Sequence, residues 1–252
     1  YIARQGEGQR PPADSSTIGY WPFSEGSGTT TWDEGGQMNT ATLRKGAEFD
    51  EDGKWGSGVY FDGSDDYIFV NEGDALSGLG GADFTLEAWI KPETSVSGLR
   101  SIVRNDGDYN LMLTNGKALA KVVVDNTMYW ATGETVMSPG NWYHVAATWD
   151  ASEVEWTFYV NGEPEETTAS GDVVWNSGNH PLWIGRSAHE NHPFKGIIDD
   201  VRISNSMRSN STLLYDEVPQ STIFFDGTGT DNDGTISAYE WRSSLDGDLS
   251  SS

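Results

Sequence analysis

The stretch SAHENHPF, Ser187 to Phe194, holds two of the chain's four histidines, His189 and His192, on either side of Glu190. Two imidazoles and a carboxylate are the parts of a hydrolytic zinc site, in which the metal activates water and the carboxylate takes its proton. The helical form of that site needs histidines four apart on one face. Here they are three apart, and Pro193 and Gly196 forbid a helix through the stretch. A loop brings two histidines onto one metal only with a third ligand from elsewhere. The better reading is a rim loop entering a strand, with His189 placed to touch a ligand.

The strand that follows, GIIDDVRI, carries the paired Asp199 and Asp200. Strict alternation puts Ile197, Asp199, Val201 and Ile203 on one face and Ile198, Asp200 and Arg202 on the other. An inward Asp199 must be paired, hydrogen-bonded or metal-bound, because an isolated buried charge is very costly. Calcium is the natural metal, since it takes six to eight hard oxygens. Asp62, Asp65 and Asp66 in FDGSDDY form a second candidate cluster. The competing reading is that these carboxylates cap turns and accept backbone N–H groups. A third acidic stretch, GTDNDGTISAYE, nearly fits a 12-residue helix-flanked calcium loop, but Gly229 stands where the first carboxylate belongs.

Catalysis by paired acids has one strand-borne candidate, Glu153 and Glu155 in SEVEWTFY, which alternation places on one face. No G-x-S-x-G nucleophile turn occurs. Sugar recognition is better supplied. An apolar sugar face stacks on Trp or Tyr, while hydroxyls bond to polar neighbours. Arg104 and Tyr109 in RNDGDYN, Tyr129 and Trp130 in NTMYWATG, Trp175 in a polar loop, and Arg186 and His189 at the rim are the candidate ligand-binding residues. Each is weighed against core packing, because sandwiches bury several large aromatics.

The elements that must position these groups are strands. DFTLEAWIKP alternates cleanly, with Phe84, Leu86, Ala88 and Ile90 on one face. YNLMLTNGKALAKVVVD reads as a hairpin about Asn115-Gly116, and EWTFYVNGEPE turns at Asn161-Gly162. About a dozen short strands in one block point to an all-β, two-sheet antiparallel sandwich. Residues 1–17, with Pro11-Pro12, read as a linker or N-terminal arm, 18–218 as the main domain, and 219–252 as an incomplete second β module.

Composition excludes partners. With 15 basic and 39 acidic residues the formal charge is -24, which argues against nucleic acid and anionic membranes. There is no cysteine, hence no disulfide and no thiolate metal site. No apolar run is long enough to insert directly in a bilayer. The chain begins at Tyr1 with no signal peptide in view and is read as a mature or excised fragment.

YWPFSEGSGTTTWDEGG, GVYFDGSDDYIFV, FTLEAWIKP, NWYHVAATWD, FYVNGE, LWIGRS and FKGIIDDVRIS together resemble the laminin-G-like, concanavalin A-like jelly-roll domains of prokaryotic surface proteins, over residues 18–208. DGTGTDNDGTISAYEW resembles the opening of a PKD-type, immunoglobulin-like module. The resemblance implies two curved antiparallel sheets, often with a structural calcium, and first and last strands that lie close. That would add Asp33 and Asn39 as co-ligands of Asp199, beside the alternative pair Asp62 and Asp66. It implies a non-catalytic carbohydrate-binding or adhesion module, extracellular or on a bacterial or archaeal surface, with a polysaccharide or glycan as partner. Two alternatives stay open: a structural unit binding neighbouring protein subunits through its arm, and a polysaccharide hydrolase or lyase.

Overall fold

The computed structural model describes residues 10–70, 76–105, 107–165, 167–174, 181–186, 192–214, 240–243 and 247–251. Two compact units form, Tyr1–Glu217 and Val218–Ser252. Strands are numbered in chain order.

One sheet of the first unit runs β14 (Glu163–Glu165), β13 (Glu155–Val160), β12 (Tyr143–Asp150), β7 (Phe84–Pro92), β17 (Lys195–Ser204), β5 (Gly56–Asp62) and β4 (Glu48–Gly53), with β1 (Thr17–Trp21) pairing along the far half of β17. The other has nine strands in the order β15 (Thr168–Val174), β11 (Thr127–Thr132), β10 (Lys117–Val124), β9 (Tyr109–Thr114), β8 (Leu99–Asn105), β16 (Leu182–Ile184), β6 (Tyr67–Val70), β3 (Ala41–Arg44) and β2 (Thr30–Thr31). Every strand pair is antiparallel, and the two sheets form the expected jelly-roll sandwich.

Local chemistry explains the framework. Asn115 and Gly116 both adopt positive φ, at 50° and 84°, and close the β9–β10 hairpin; Asn161 and Gly162 do the same for β13–β14. Only short turns with left-handed residues match the twist of the strands they join. Phe84, Leu86, Ala88 and Ile90 of β7 enter the core, facing Tyr109, Leu111 and Leu113 of β9 and Ala118, Ala120 and Val122 of β10 within one cluster. Gly196, the second residue of β17, has φ +131°, and a Cβ there would lie 2.2 Å from the Lys91 carbonyl oxygen. No larger residue fits that approach.

β17 departs from strict alternation. Ile198 pairs with Ile90 and Asp199 with Trp89, but the next register partner of β7 is Arg202, opposite Glu87. Asp200 and Val201 therefore oppose the single Ala88, with Asp200 at φ 49°. This is a β-bulge, and it inverts the phase of the strand. Ile198, Val201 and Ile203 face the core, whereas Asp199 stands on the outer face beside Trp89. Asp199 is buried, as expected from sequence, but on the opposite face.

Segments before and after the strands of the sandwich pack on this face. Arg10 Nη2 donates to the carbonyls of Pro22 and Trp55 at 3.0 and 2.9 Å, and Arg10 Nε lies 2.8 Å from Asp200 Oδ1. Arg208 holds Asp14 through both terminal nitrogens, at 2.7 and 2.9 Å. Residues 10–16, read from sequence within the arm, are thus fastened to the sandwich. The outer face of the first sheet is further covered by residues 205–214: Leu214 N–H donates to Glu87 Oε2 at 2.6 Å, and Trp89 Nε1 donates to the Leu214 carbonyl.

The described part of the second unit is a hairpin, β18 (Glu240–Ser243) with β19 (Gly247–Ser251). Residues 219–239, which hold most of the stretch resembling a second module and the acidic loop at 229–240 up to Tyr239, lie outside the described residues.

Candidate functional site

Residues 10–16 and 205–214 cover part of the first sheet's outer face; the outer face of the nine-stranded sheet carries a different arrangement. Antiparallel register partners share a face, so the pairing itself assembles the site. Starting from Asn110, which alternates against the core residues Tyr109 and Leu111, the partners run through Arg104 to Trp183, Phe69, Thr42 and Thr30 on one side. On the other they run through Lys121 to Trp130 and Ser170. One residue from each of nine strands forms an unbroken row. From Phe69 to Trp130 is five strand steps, about 24 Å at the usual strand spacing.

The row is aromatic towards its ends and polar in the middle. Trp183 packs edge-on against Tyr67 and Phe69, with centroids 4.9 and 5.2 Å away. Tyr67, Phe69, Lys121 and Trp130 are half-buried. The centre is not solvated: Arg104 and Asn110 are each 1% exposed. Neither amide atom of Asn110 has a hydrogen-bond partner among the described residues, nor does Ser101 Oγ or Trp183 Nε1 on the same face. A buried polar group left unpaired costs about 1–3 kcal/mol, so four such atoms on one face need a reason.

The expected ligand-binding residues divide. Arg104 and Trp130 belong to the row. Tyr109 does not: it is fully buried in the core, donates from its hydroxyl to the Leu76 carbonyl at 2.9 Å and packs on Phe84. Tyr129 faces inward against Trp149, with centroids 5.8 Å apart. Arg186 reaches the Asp65 carbonyl beyond the strand end and is off the row. Trp175 and His189 lie outside the described residues. Asn110, Lys121, Trp183 and Phe69 were not singled out from sequence. For Asn110 a signal was there in YNLMLT, where one polar residue interrupts the core phase.

The expected metal residues are occupied otherwise. Asp33 Oδ1 accepts from the Tyr20 and Gly35 N–H groups, and Oδ2 accepts from the Asn39 N–H and side-chain amide. Asp199 Oδ2 accepts from Lys54 and Trp55 N–H, and Oδ1 from Asp200 N–H. Asp66 Oδ2 takes the Asp62 N–H, and Asp62 Oδ1 takes that of Ser64. Asp33 and Asp199 thus have both carboxylate oxygens engaged, whereas Asp62 and Asp66 each accept one backbone N–H. Among the described residues no group of three or more His, Asp or Glu is placed to hold a metal.

The acids that are paired in the sequence are shifted. Burial pushes Asp199 up to about 6 against the pull of Arg10. Burial and the adjacent Asp199 push Asp200 well above the ordinary carboxylate range, while Tyr20 donates to its Oδ1 at 2.6 Å. Burial alone would also raise Glu87, but Arg202 at 2.7 Å and His144 at 3.1 Å outweigh it and hold the carboxyl below its ordinary value. Burial pushes His144 down, so it serves as a neutral partner. Glu87 also accepts the Leu214 N–H, which ties the pair to residues 205–214 in a structural position. Glu153 and Glu155 do not form a strand-borne pair, since Glu153 lies in the turn before β13.

A cleft of about 520 Å³ opens at the rim, lined by Gly78, Gly80, Gly81, Asp108, Val123 and Asp125 among others. None of its described lining residues is aromatic. No described helix is long and apolar enough to cross a membrane.

Solved structures share this frame. The binding domain of Paraclostridial Mosquitocidal Protein 1 matches with a TM-score of 0.62 at 13% identity, over 78% of this chain and 50% of that one. Domain 4 of AbnA, a GH43 extracellular arabinanase from Geobacillus stearothermophilus, in complex with arabinotriose, gives 0.60 at 18%, over 82% of this chain and all of that one. The botulinum neurotoxin serotype D binding domain gives 0.61 at 15%, over 79% and 50%. The chain thus spans half the length of the two toxin domains. At these identities the likeness is one of fold. No curated protein matches the chain in sequence. The model of the Laminin_G_3 family matches residues 62–213, more than half of the chain, which therefore belongs to the concanavalin A-like lectin/glucanases superfamily.

Proposed function

We propose that this chain is a non-catalytic carbohydrate-binding module that holds a glycan across the outer face of its nine-stranded sheet. The observation that carries the reading is the row from Phe69 to Trp130, with half-exposed aromatics at its ends and unpaired polar atoms at its centre. Aromatic faces take the apolar side of a sugar ring, and buried donors and acceptors take its hydroxyls. The fold neighbours are consistent with this use: one was solved with arabinotriose and another with N-acetylneuraminic acid. Affinity at one site of this kind is weak, and display within a larger secreted or surface protein raises it through effective concentration. On this reading residues 219–252 are the start of the next, PKD-like module in that larger protein. Strand addition through the N-terminal arm is less well supported, because residues 10–16 are tied to the sandwich by Arg10 and Asp14.

Affinity electrophoresis of the full chain through gels containing arabinan, xylan, mixed-linkage glucan, polygalacturonate or a sialylated glycoprotein tests the proposal. Retardation in at least one gel is expected. Unchanged mobility in all of them overturns the reading in favour of a structural or protein-binding unit.

A further inference from the structure

We infer that Asn110 is the specificity-determining residue of this face and that its side-chain amide reads a pair of adjacent hydroxyls on the sugar. The inference rests on the glycan reading above and goes beyond it by naming the chemical feature recognised. Asn110 is 1% exposed, and both Nδ2 and Oδ1 lack partners among the described residues. Nothing in the fold requires an amide there, since β9 is held by its backbone ladder to β8 and β10. A leucine of nearly the same shape would bury more apolar surface and leave no polar atom unpaired. Retaining the amide is a stability sacrifice of the kind found at sites kept for function.

The geometry of the group selects its ligand. A carboxamide presents a donor beside an acceptor in one plane. Two neighbouring hydroxyls of a sugar complement it, one accepting from Nδ2 and the other donating to Oδ1. A carboxylate or sulfate would satisfy Nδ2 and be repelled by Oδ1. Ser101 Oγ and Trp183 Nε1, also unpaired on this face, add a hydroxyl and a donor for further oxygens along the same neutral glycan. Arg104 and Lys121 flank Asn110 as register partners, so entry requires these long side chains to swing aside.

Polymer linkage supplies the test. Xylan linked 1,4 and arabinan linked 1,5 keep a free 2,3-diol in each unit, whereas 1,3-linked glucan has no two adjacent free hydroxyls. The full chain and its Asn110→Leu and Asn110→Asp variants are run through gels of all three polymers, and their Tm values are measured without ligand. The expected result is retention by a diol-bearing polymer and not by 1,3-glucan, at least a tenfold loss in both variants, and an unchanged or higher Tm for Asn110→Leu. Equal retention of wild type and Asn110→Leu, or preference for 1,3-glucan, overturns the role of Asn110 while leaving a glycan-binding module. A Tm several degrees lower for Asn110→Leu assigns the amide to the fold and overturns it too. No retention of the wild type by any polymer of the wider panel removes both readings together.

Discussion

Trp183 and Arg104 stand directly opposite each other across β16 and β8, on the face turned away from the core. The pairing joins the aromatic cluster of Tyr67, Phe69 and Trp183 to the polar centre at Arg104 and Asn110. On the opposite sheet, residues 10–16 and 205–214 engage Glu87, Trp89 and Asp200 of the outer face.

The fastening can be tested at Glu87. Its carboxylate is completely buried and accepts from Arg202, His144 and the Leu214 N–H. Removing one partner of a buried ion pair leaves the other uncompensated, at about 3–5 kcal/mol. Glu87→Gln is therefore expected to lower the urea midpoint of unfolding clearly. A midpoint within error of wild type would show that the network does not hold the sheet face.

Residues 10–16 belong to the folded domain by the same logic. Deleting residues 1–16 removes Arg10 from Asp200 and Asp14 from the buried Arg208. Uncovering those groups costs about 2–4 kcal/mol, which lowers Tm by roughly 5–10 °C in a domain of this size. Differential scanning fluorimetry of the two forms checks this, and an unchanged Tm would mean that the segment is passive.

The paired aspartates make stability depend on pH in a definite direction. Asp199 rises from 3.8 to about 6 on folding, and Asp200 is also raised, so the folded state holds more protons than the unfolded one. Their contribution is fully present below about pH 3.8 and is lost as pH rises through about 6. The other acids of this -24 chain act similarly in wild type and variant, so a difference measurement isolates the pair. Asp200→Asn removes one titrating partner. Its Tm is expected to fall less than that of wild type between pH 4 and pH 7; parallel curves would contradict the assignment.

How far the sequence reached depended on the range of the forces involved. The inward face of β7 and the turns at Asn115-Gly116 and Asn161-Gly162 were legible because they depend on period and on left-handed φ, which are local. The face of Asp199 was not, because one extra residue at Asp200 inverts the strand's phase and no composition marks it. Tyr109 and Tyr129 looked like sugar platforms from their polar neighbours, yet both follow the core phase of their strands. Trp183 sits on a strand of three residues, too short for alternation to speak. The row itself depends on the register of strands far apart in sequence, such as β16 with β8, and only the assembled sheet displays it.

The central claim is that glycan binds the outer face of the nine-stranded sheet. The most direct test compares the dissociation constants of full-length wild type, Trp130→Ala and Trp55→Ala for the polysaccharide that retards the wild type. Trp130 lies at one end of the row, whereas Trp55 packs at 5.3 Å against Trp89 on the other sheet's covered face. Truncating an aromatic that anchors a ligand costs about 2 kcal/mol, so Trp130→Ala is expected to weaken binding by roughly 30-fold, with Trp55→Ala within about twofold of wild type. Unchanged binding by Trp130→Ala, with a large loss in Trp55→Ala, would contradict the account and move the site to the opposite sheet.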